Sequence, residues 1–523
     1  MTAHDFQLLI DENTQLRQDN RALKQSLQVI EQQLDWFKRQ LFGSKSERHI
    51  PAPDPKQGDL FAHLEEEVET SADNHSATTV KSYQRKKKPR GDSVLDKGLR
   101  FDKSVPVRVI DCTPASFKND QADDVSILHY ESTFRLAQRP GSYLILEYRT
   151  PVYKEKGSDA IHQLPAPPNV LDRTIVDVSF LAGMLVDKFA YHLPLYRQHQ
   201  RLKEAGITVA RSSLSTWCMR AAALLEPIVE AQHRSILSSD VLGMDEVPIK
   251  AGKGKGKMKQ GYLWPQYGDQ DEVHFHYSPS RGHQVIKDQL DPHFKGVLLC
   301  DGYSAYQLYS ENNEAVTLAN CWAHTRRHFE NVKKIDPIAS EQALAIIKAL
   351  YHQEQLIKDQ QLEGQDKLDH RTQHSEPIVK QFWQWCDQQK QRAGLFPKHP
   401  LMKALNYALA RVEPLQVFLS EPNVPLDTNH VERSLRVIPM GRKNWLFCWS
   451  ELGAKQVATM QSLIVTCRLQ GVHPYRYLVD VLQRIQTHPN SRIEELTPRL
   501  WKEHFADCPM ISDAMTEVYD GVE

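Results

Sequence analysis

Between Val241 and Cys321 the chain runs through strand after strand in an order that few folds accept. Three apolar stretches follow closely, VLGMDEVPIK, GYLWPQYGD and EVHFHYS. A helical segment opens at Arg281, and then come GVLLCDGY and AVTLANC. Strands joined by short turns pair antiparallel, whereas a helix between strands allows a parallel return. The pattern predicts a mixed sheet with helices against it, an α/β fold. Two strands carry apolar residues up to an acidic one, Asp245 in VLGMDEVPIK and Asp301 in KGVLLCDGYSAY. A buried strand that ends on a charge brings that charge to the edge of the sheet. The separation, 301 − 245 = 56 residues, leaves room for two strands and a helix, so the two carboxylates lie side by side if their strands are neighbours. A third acid, Glu432 in PLDTNHVERSLR, comes 432 − 301 = 131 residues later and opens a helix that must pack back on the sheet.

Each acid also has a plain structural reading. Asp245, next to Glu246, can cap a turn; Asp301-Gly302 is a common turn pair; Asn429 to Glu432 matches a helix capping box. Their joint context favours a metal site for phosphoryl transfer. Two divalent ions about 4 Å apart can activate a nucleophile and stabilise a leaving oxygen. Mg²⁺ takes hard oxygen ligands and keeps some of its waters, so a few carboxylates suffice. Basic residues surround the acids. Lys250, Lys253, Lys255, Lys257 and Lys259 alternate with Gly in KAGKGKGKMKQ, a cationic loop suited to phosphate or simply a solvated hairpin tip. Arg326 and Arg327 follow His324, Arg433 and Arg436 flank Glu432, and Arg442 and Lys443 precede Trp445, Phe447 and Trp449. Basic groups among aromatics can hold distorted DNA by charge and stacking. The net charge of −1 means that any nucleic acid must be met by such local patches. His324 and His328 in HTRRH share a helical face, but Thr325 stands where a zinc protease needs Glu, so a hydrogen-bonding or DNA-facing role for His324 is expected.

The rest of the chain divides by pattern. Residues 1–42 carry a heptad, with Leu9, Leu16, Leu23, Ile30 and Phe37 seven apart, and predict a self-associating coiled coil. Residues 43–91 read as a flexible linker ending in the basic run Arg85 to Arg90, and 92–170 as a small β-rich domain. Residues 171–235 are helical, and HLPLYRQHQRLKEAGITVARSSLSTWCMRAA has a helix-turn-helix layout. Gly206 makes the turn, Ser212 or Ser213 caps the second helix, and Thr216, Trp217 and Arg220 lie on it. The mixed sheet, of ribonuclease H type, takes 236–335 as its first part and 425–490 as its last. A helical insertion of 336–424 separates them, and 491–523 is a tail. Eight cysteines without a CxxC pair predict neither a disulfide framework nor a zinc ribbon and suit a reducing cytoplasm. The polar start is no signal peptide, and the most apolar run, Val178 to Ala190, is too short to span a membrane.

Several motifs together are more specific than any one. They are WFKRQLFGSKSER, YHLPLYRQHQRLKEAGITVARSSLSTW, MDEVPIK, GYLW, CDGYSAY, ANCWAHTRRHF and NHVERSLRVIPMGRKNWLF. Over nearly its whole length the chain resembles the insertion-sequence-66 transposases of the DDE superfamily. The resemblance implies a ribonuclease-H-like catalytic core with a helical insertion, and Asp245, Asp301 and Glu432 as catalytic, metal-binding residues. It implies Mg²⁺ or Mn²⁺ as cofactor, cleavage at element ends and strand transfer into target DNA. Small accessory proteins often accompany such elements. Family members usually carry four cysteines after the basic linker, whereas Phe101 to Glu155 here holds only Cys112, so no structural zinc is expected. A DNA-binding regulator without catalysis, or a nuclease without strand transfer, remains the alternative.

Overall fold

The computed structural model describes residues 94–515, except 97–98, 102–104, 115–124, 140–141, 156–160, 255–256, 393, 446–447 and 449. The expected coiled coil and basic linker lie outside the described residues. The chain divides into two units, Met1–Gly91 with Lys333–Ile338, and Asp92–Val332 with Ala339–Glu523. Everything below concerns the second.

Ahead of the core lie β1 (Val94–Asp96), β2 (Leu99–Phe101), β3 (Val107–Asp111), β4 (Val125–Arg139), β5 (Ser142–Glu155), β6 (Ile161–Gln163) and β7 (Ile207–Thr208). β1, β2 and β7 make one small sheet, and β3 to β6 another around the long β4–β5 hairpin. The stretches VPVRVIDC, VSILHYESTF and SYLILEYRTPVY, read as strands from their alternation, fall on β3, β4 and β5. Helices Leu195–Glu204 and Arg211–Ile236 flank the expected turn, and Gly206 turns the chain at φ 78°. Glycine adopts that left-handed conformation without steric cost. The cap differs from expectation. The turn runs on into β7, which pairs with β2, so the second helix opens at Arg211 behind Ala210. Ser212 and Ser213 therefore sit inside the helix, and no side chain caps it. Trp217 is buried in the core, while Thr216 and Arg220 stay exposed.

The core sheet contains β8 (Val241–Met244), β9 (Val247–Lys253), β10 (Met258–Tyr267), β11 (Val273–Ser278), β12 (Gly296–Cys300) and β13 (Val316–Asn320). Its order is β11-β10-β8-β12-β13. β10 is antiparallel to β11 and β8, and β8, β12 and β13 run parallel. β9 continues β8. Tyr267 faces Gly243 and Leu263 faces Val247, the same register carried across Asp245 and Glu246. VLGMDEVPIK is thus one strand in register with β10, and its pairing to β12 is last seen at Gly243 with Leu299.

Period-two alternation sends successive side chains to opposite faces. Leu298 and Cys300 join Leu242, Met244 and Trp264 beneath the helices His283–Leu290 and Ser304–Glu311. Val297, Leu299 and Ala319 pack instead against Trp322, Phe382 and Leu405 of the helices that follow β13. On β11, Val273, Phe275 and Tyr277 face a core shared with the helix Glu451–Leu469. The insertion consists of the helices Pro337–Asp359, Gly364–His370, Glu376–Lys390 and Pro400–Leu409. Its fully buried Arg371 makes two hydrogen bonds to Glu354 and donates to three backbone carbonyls, so the buried charge is paired and satisfied. Among the described residues no helix is long and apolar enough to cross a membrane.

Candidate active site

Asp245 follows Met244 in the strand, and Asp301 follows Cys300 at the end of β12. The parallel register pairs Leu299 with Gly243, so two residues further on Asp301 falls opposite Asp245. Sheet pairing alone therefore brings the first two acids together. One Asp245 carboxylate oxygen accepts the Glu246 backbone N–H at 2.8 Å. An Asp301 oxygen accepts the Tyr303 N–H at 2.8 Å, which closes the turn, and Asn320 donates its amide to the Asp301 carbonyl at 3.0 Å.

Glu432 lies in the first turn of the helix Asn429–Leu435. This helix rests on the sheet at Gly243. A Cβ placed there would stand 2.5 Å from Val431 Cγ2, closer than folded side chains tolerate. A glycine in mid-strand is thus what admits the helix. The Glu432 carboxylate accepts from Arg327 at 3.4 Å and lies 3.5 Å from His324 Nε2. Both partners come from the helix Trp322–Glu330. His324 Nδ1 is buried without a hydrogen-bond partner.

The electrostatics link the three acids. Burial pushes the Asp245 carboxyl up to about 7, and the negative charges of Glu246, Asp301 and Glu432 add to the rise. Burial lowers the His324 imidazole, opposed by Asp301 and Glu432. Glu246 differs from Asp245. Its nearly buried carboxylate is taken by Arg281, at 2.7 Å from Nε, and by the Tyr306 hydroxyl at 3.0 Å. Arg281 in turn lies 4.2 Å over the Tyr303 ring. Among the described residues, no three His, Cys, Asp or Glu side chains stand close enough to hold a metal ion. The donor chemistry nevertheless suits a hard divalent cation, since the acids are oxygen donors and burial, with their like charges, raises one of them to about 7.

The remaining residues expected at the site separate. His324 and Arg327 turn to Glu432, and Arg326 pairs with Glu330 at 2.8 Å on its own helix. His328 stacks on Tyr407, with ring centroids 3.9 Å apart, so the two histidines of HTRRH do not converge. Lys250, Lys257, Lys259, Arg433, Arg436 and Lys443 are exposed, and Lys259 reaches Glu451 at 3.7 Å. Arg442 donates to the Pro248 carbonyl, and Arg220 to that of Asp172 at 3.1 Å. Trp445 packs against the core. Sequence reading missed Gly243, Arg281, Tyr306 and the insertion residues Tyr407 and Arg411. Only Gly243, a glycine inside an apolar strand, left a readable signal.

Comparison with known proteins agrees along the chain. A family model described as Transposase IS66 family matches residues 173–456, and the IS66 C-terminal element matches 462–499. A third, described as Transposase C of IS166 homeodomain, matches 30–109. Sinorhizobium fredii (strain NBRC 101917 / NGR234) holds similar proteins, each called uncharacterized. The protein y4hP is 29% identical over 512 residues, covering 92% of this chain and 90% of that one. The protein y4jD is 33% identical over 363 residues, covering 66% and 70%.

Proposed function

This chain belongs to the IS66 family of transposases, and from that premise we propose that it cuts and joins DNA through Asp245, Asp301 and Glu432. The observation that carries the reading is the register of β8 and β12, which sets Asp245 beside Asp301 on neighbouring parallel strands. The sheet order supports it: three antiparallel strands followed by two parallel ones are the order expected of a ribonuclease-H-like core, with a helical insertion before Glu432. Asp245 and Asp301 would hold Mg²⁺ or Mn²⁺, and Glu432 would leave Arg327 to complete the oxygen set. When bound, the ion would neutralise the attacking and leaving oxygens of an in-line displacement.

The protein's own groups would do the rest. Burial and like charge raise the Asp245 carboxyl to about 7, and a bound cation would displace its proton. His324 and Arg327 hold the Glu432 side chain, whose charge acts on Asp245. In the first step a water oxygen bonds to phosphorus at the element end, the bond to the 3′-oxygen breaks, and that oxygen takes a proton. In the second, the freed 3′-hydroxyl attacks a target phosphodiester, and the target's own 3′-oxygen leaves. The helix Arg211–Ile236 offers Thr216 and Arg220 to DNA, and the lysine hairpin and Arg433, Arg436 and Lys443 offer charge to phosphates. A coiled coil at 1–42 would pair protomers on the two ends of an element.

The test is cleavage of DNA carrying the element ends, with Mg²⁺ or Mn²⁺, by wild type and by Asp245→Ala, Asp301→Ala and Glu432→Ala. Each variant should bind the ends and fail to cut them; full cleavage by any one removes the assignment. Strand transfer with pre-cut ends separates a transposase from a nuclease.

A further inference from the structure

The helical insertion reaches the second carboxylate. Gly302 follows Asp301, and side chains from beyond the end of β13 close on it. Arg411 donates to the Gly302 carbonyl at 2.7 Å, and the Tyr407 hydroxyl lies against Gly302. Space there is so limited that a Cβ on Gly302 would stand 2.4 Å from Arg411 Nε and 2.6 Å from the Tyr407 oxygen. The two gripping residues brace each other. The Arg411 guanidinium lies 4.0 Å over the Tyr407 ring and donates back to the Tyr407 carbonyl at 2.7 Å. The other face of Tyr407 is engaged as well, since the His328 ring stacks on it at 25°. His328 sits one turn after His324 on the helix that holds Glu432. One corner of the insertion therefore touches both the Asp301 turn and the support of Glu432.

We propose that Tyr407 and Arg411 are positioning residues that set Asp301 against Glu432, which makes the insertion part of the catalytic site. The inference rests on the metal-site reading above. A turn held only by Asn320 and its own Asx bond could pivot about the end of β12. The Arg411 bond and the Tyr407 contact, both from a packed helical layer, stop that pivot, and groups that orient a metal ligand typically change metal affinity or activity 10–100-fold when lost.

The experiment uses the full chain and Mn²⁺ alone as the probe, with binding followed by electron paramagnetic resonance. End cleavage is measured in parallel. Asp301→Asn is the reference and should abolish high-affinity Mn²⁺ binding. Arg411→Gln should weaken Mn²⁺ binding about 10-fold or more and lower kcat, with KM for DNA unchanged. Tyr407→Phe, which keeps the ring and its stacking but removes the hydroxyl that lies against Gly302, should weaken binding by about 2–10-fold, the worth of one polar contact. Arg411→Lys, which keeps a donor for the Gly302 carbonyl, should recover part of the loss. A merely structural role would lower the melting temperature and leave Mn²⁺ affinity alone. If Arg411→Gln does not fold, Tyr407→Phe decides. Wild-type Mn²⁺ affinity and kcat in Tyr407→Phe, with Asp301→Asn defective, overturn the positioning role. Wild-type Mn²⁺ binding by Asp301→Asn overturns the metal-site reading instead.

Discussion

The core sheet carries two clusters of buried titratable groups, and they are built oppositely. At β8 and β12, the charges of Glu246, Asp301 and Glu432 all act on Asp245, and burial with these charges pushes its carboxyl up to about 7. On β11 the alternation puts His274 and His276 on the face away from Val273 and Phe275, where His274 stacks on His233 at 4.1 Å. Burial, ahead of neighbouring positive charges, drives His233 and His276 down to about 4, and His274 well below its usual value. The imidazoles answer burial by staying neutral, and neutral rings pack. The carboxylates have partners for Glu246 and Glu432 but none of comparable strength for Asp245. A fold keeps an arrangement of that second kind where something else benefits, which is the physical argument for function at one cluster and structure at the other.

The largest expected effect breaks the carboxylate cluster. Asp245→Asn and Asp301→Asn should each lower end cleavage on the order of 10³-fold, because a metal-bound displacement draws several kcal/mol from its ligands. Asp245→Asn should also raise the melting temperature at pH 8. A carboxyl whose folded pKa is raised favours the folded state while it is protonated, and that contribution is lost as pH rises toward 7. At pH 8 the ionised group therefore costs stability, on the order of 1–3 kcal/mol, which Asn does not. Near pH 4 the advantage should vanish. Thermal melts at the two pH values check this, and a variant less stable than wild type at pH 8 contradicts it.

Next in size is Gly243, which determines how near Glu432 comes to the aspartates. Gly243→Ala forces a Cβ against Val431, an overpacking of about 1–3 kcal/mol. Lifting the helix by a fraction of an ångström should lower cleavage by up to about 10²-fold. Adding Val431→Ala makes room and should restore much of the activity, even though it removes core volume. Cleavage rates of the single and double variants test the contact, and no recovery in the double variant refutes it.

The histidine cluster has the opposite pH signature. Each ring binds a proton more readily in the unfolded chain, near 6.5, than in the fold, near 4 for His233 and His276. Stability is thus complete above about pH 6.5 and falls as pH drops toward 4, by on the order of 1–3 kcal/mol for each ring. His276→Gln should flatten that acid limb in denaturant titrations while leaving end cleavage at pH 8 near wild type. Loss of cleavage with stability intact would move this cluster from structure to function.

What the sequence disclosed follows the range of the interaction. Period-two alternation marks β8 to β13, and the intervals between strands allow Asp245 and Asp301 to be neighbours, because both depend on residues close along the chain. The Asn429 to Glu432 pattern marks a helix start for the same reason. The distance from Asp245 to Glu432 does not follow from any local pattern, since it depends on Gly243 meeting Val431 across 188 positions (431 − 243 = 188). Arg281 and Arg411 were equally hidden. An arginine looks alike in sequence whether it grips a carboxylate, a carbonyl or a phosphate. The basic residues assigned to DNA show the converse, because His324 and Arg327 turn inward to Glu432. The expected cap at Ser212 or Ser213 failed because the pairing of β7 with β2, itself long-range, fixes where the turn ends.

The smallest expected effect sharpens the comparison within the carboxylate cluster itself. Glu246 is half-buried like Asp245, but Arg281 and Tyr306 already occupy its oxygens. Glu246→Gln keeps an acceptor for both and removes one negative charge, so it should lower cleavage by about 10-fold at most, the worth of a weakened charged hydrogen bond. It should also bring the Asp245 carboxyl closer to its ordinary value, because Glu246 is one of the charges that raise it. Asp245→Asn, by contrast, removes a proposed ligand. Equal loss in the two variants would mean that the pair acts as one unit, and a larger loss in Glu246→Gln would transfer the ligand role to Glu246.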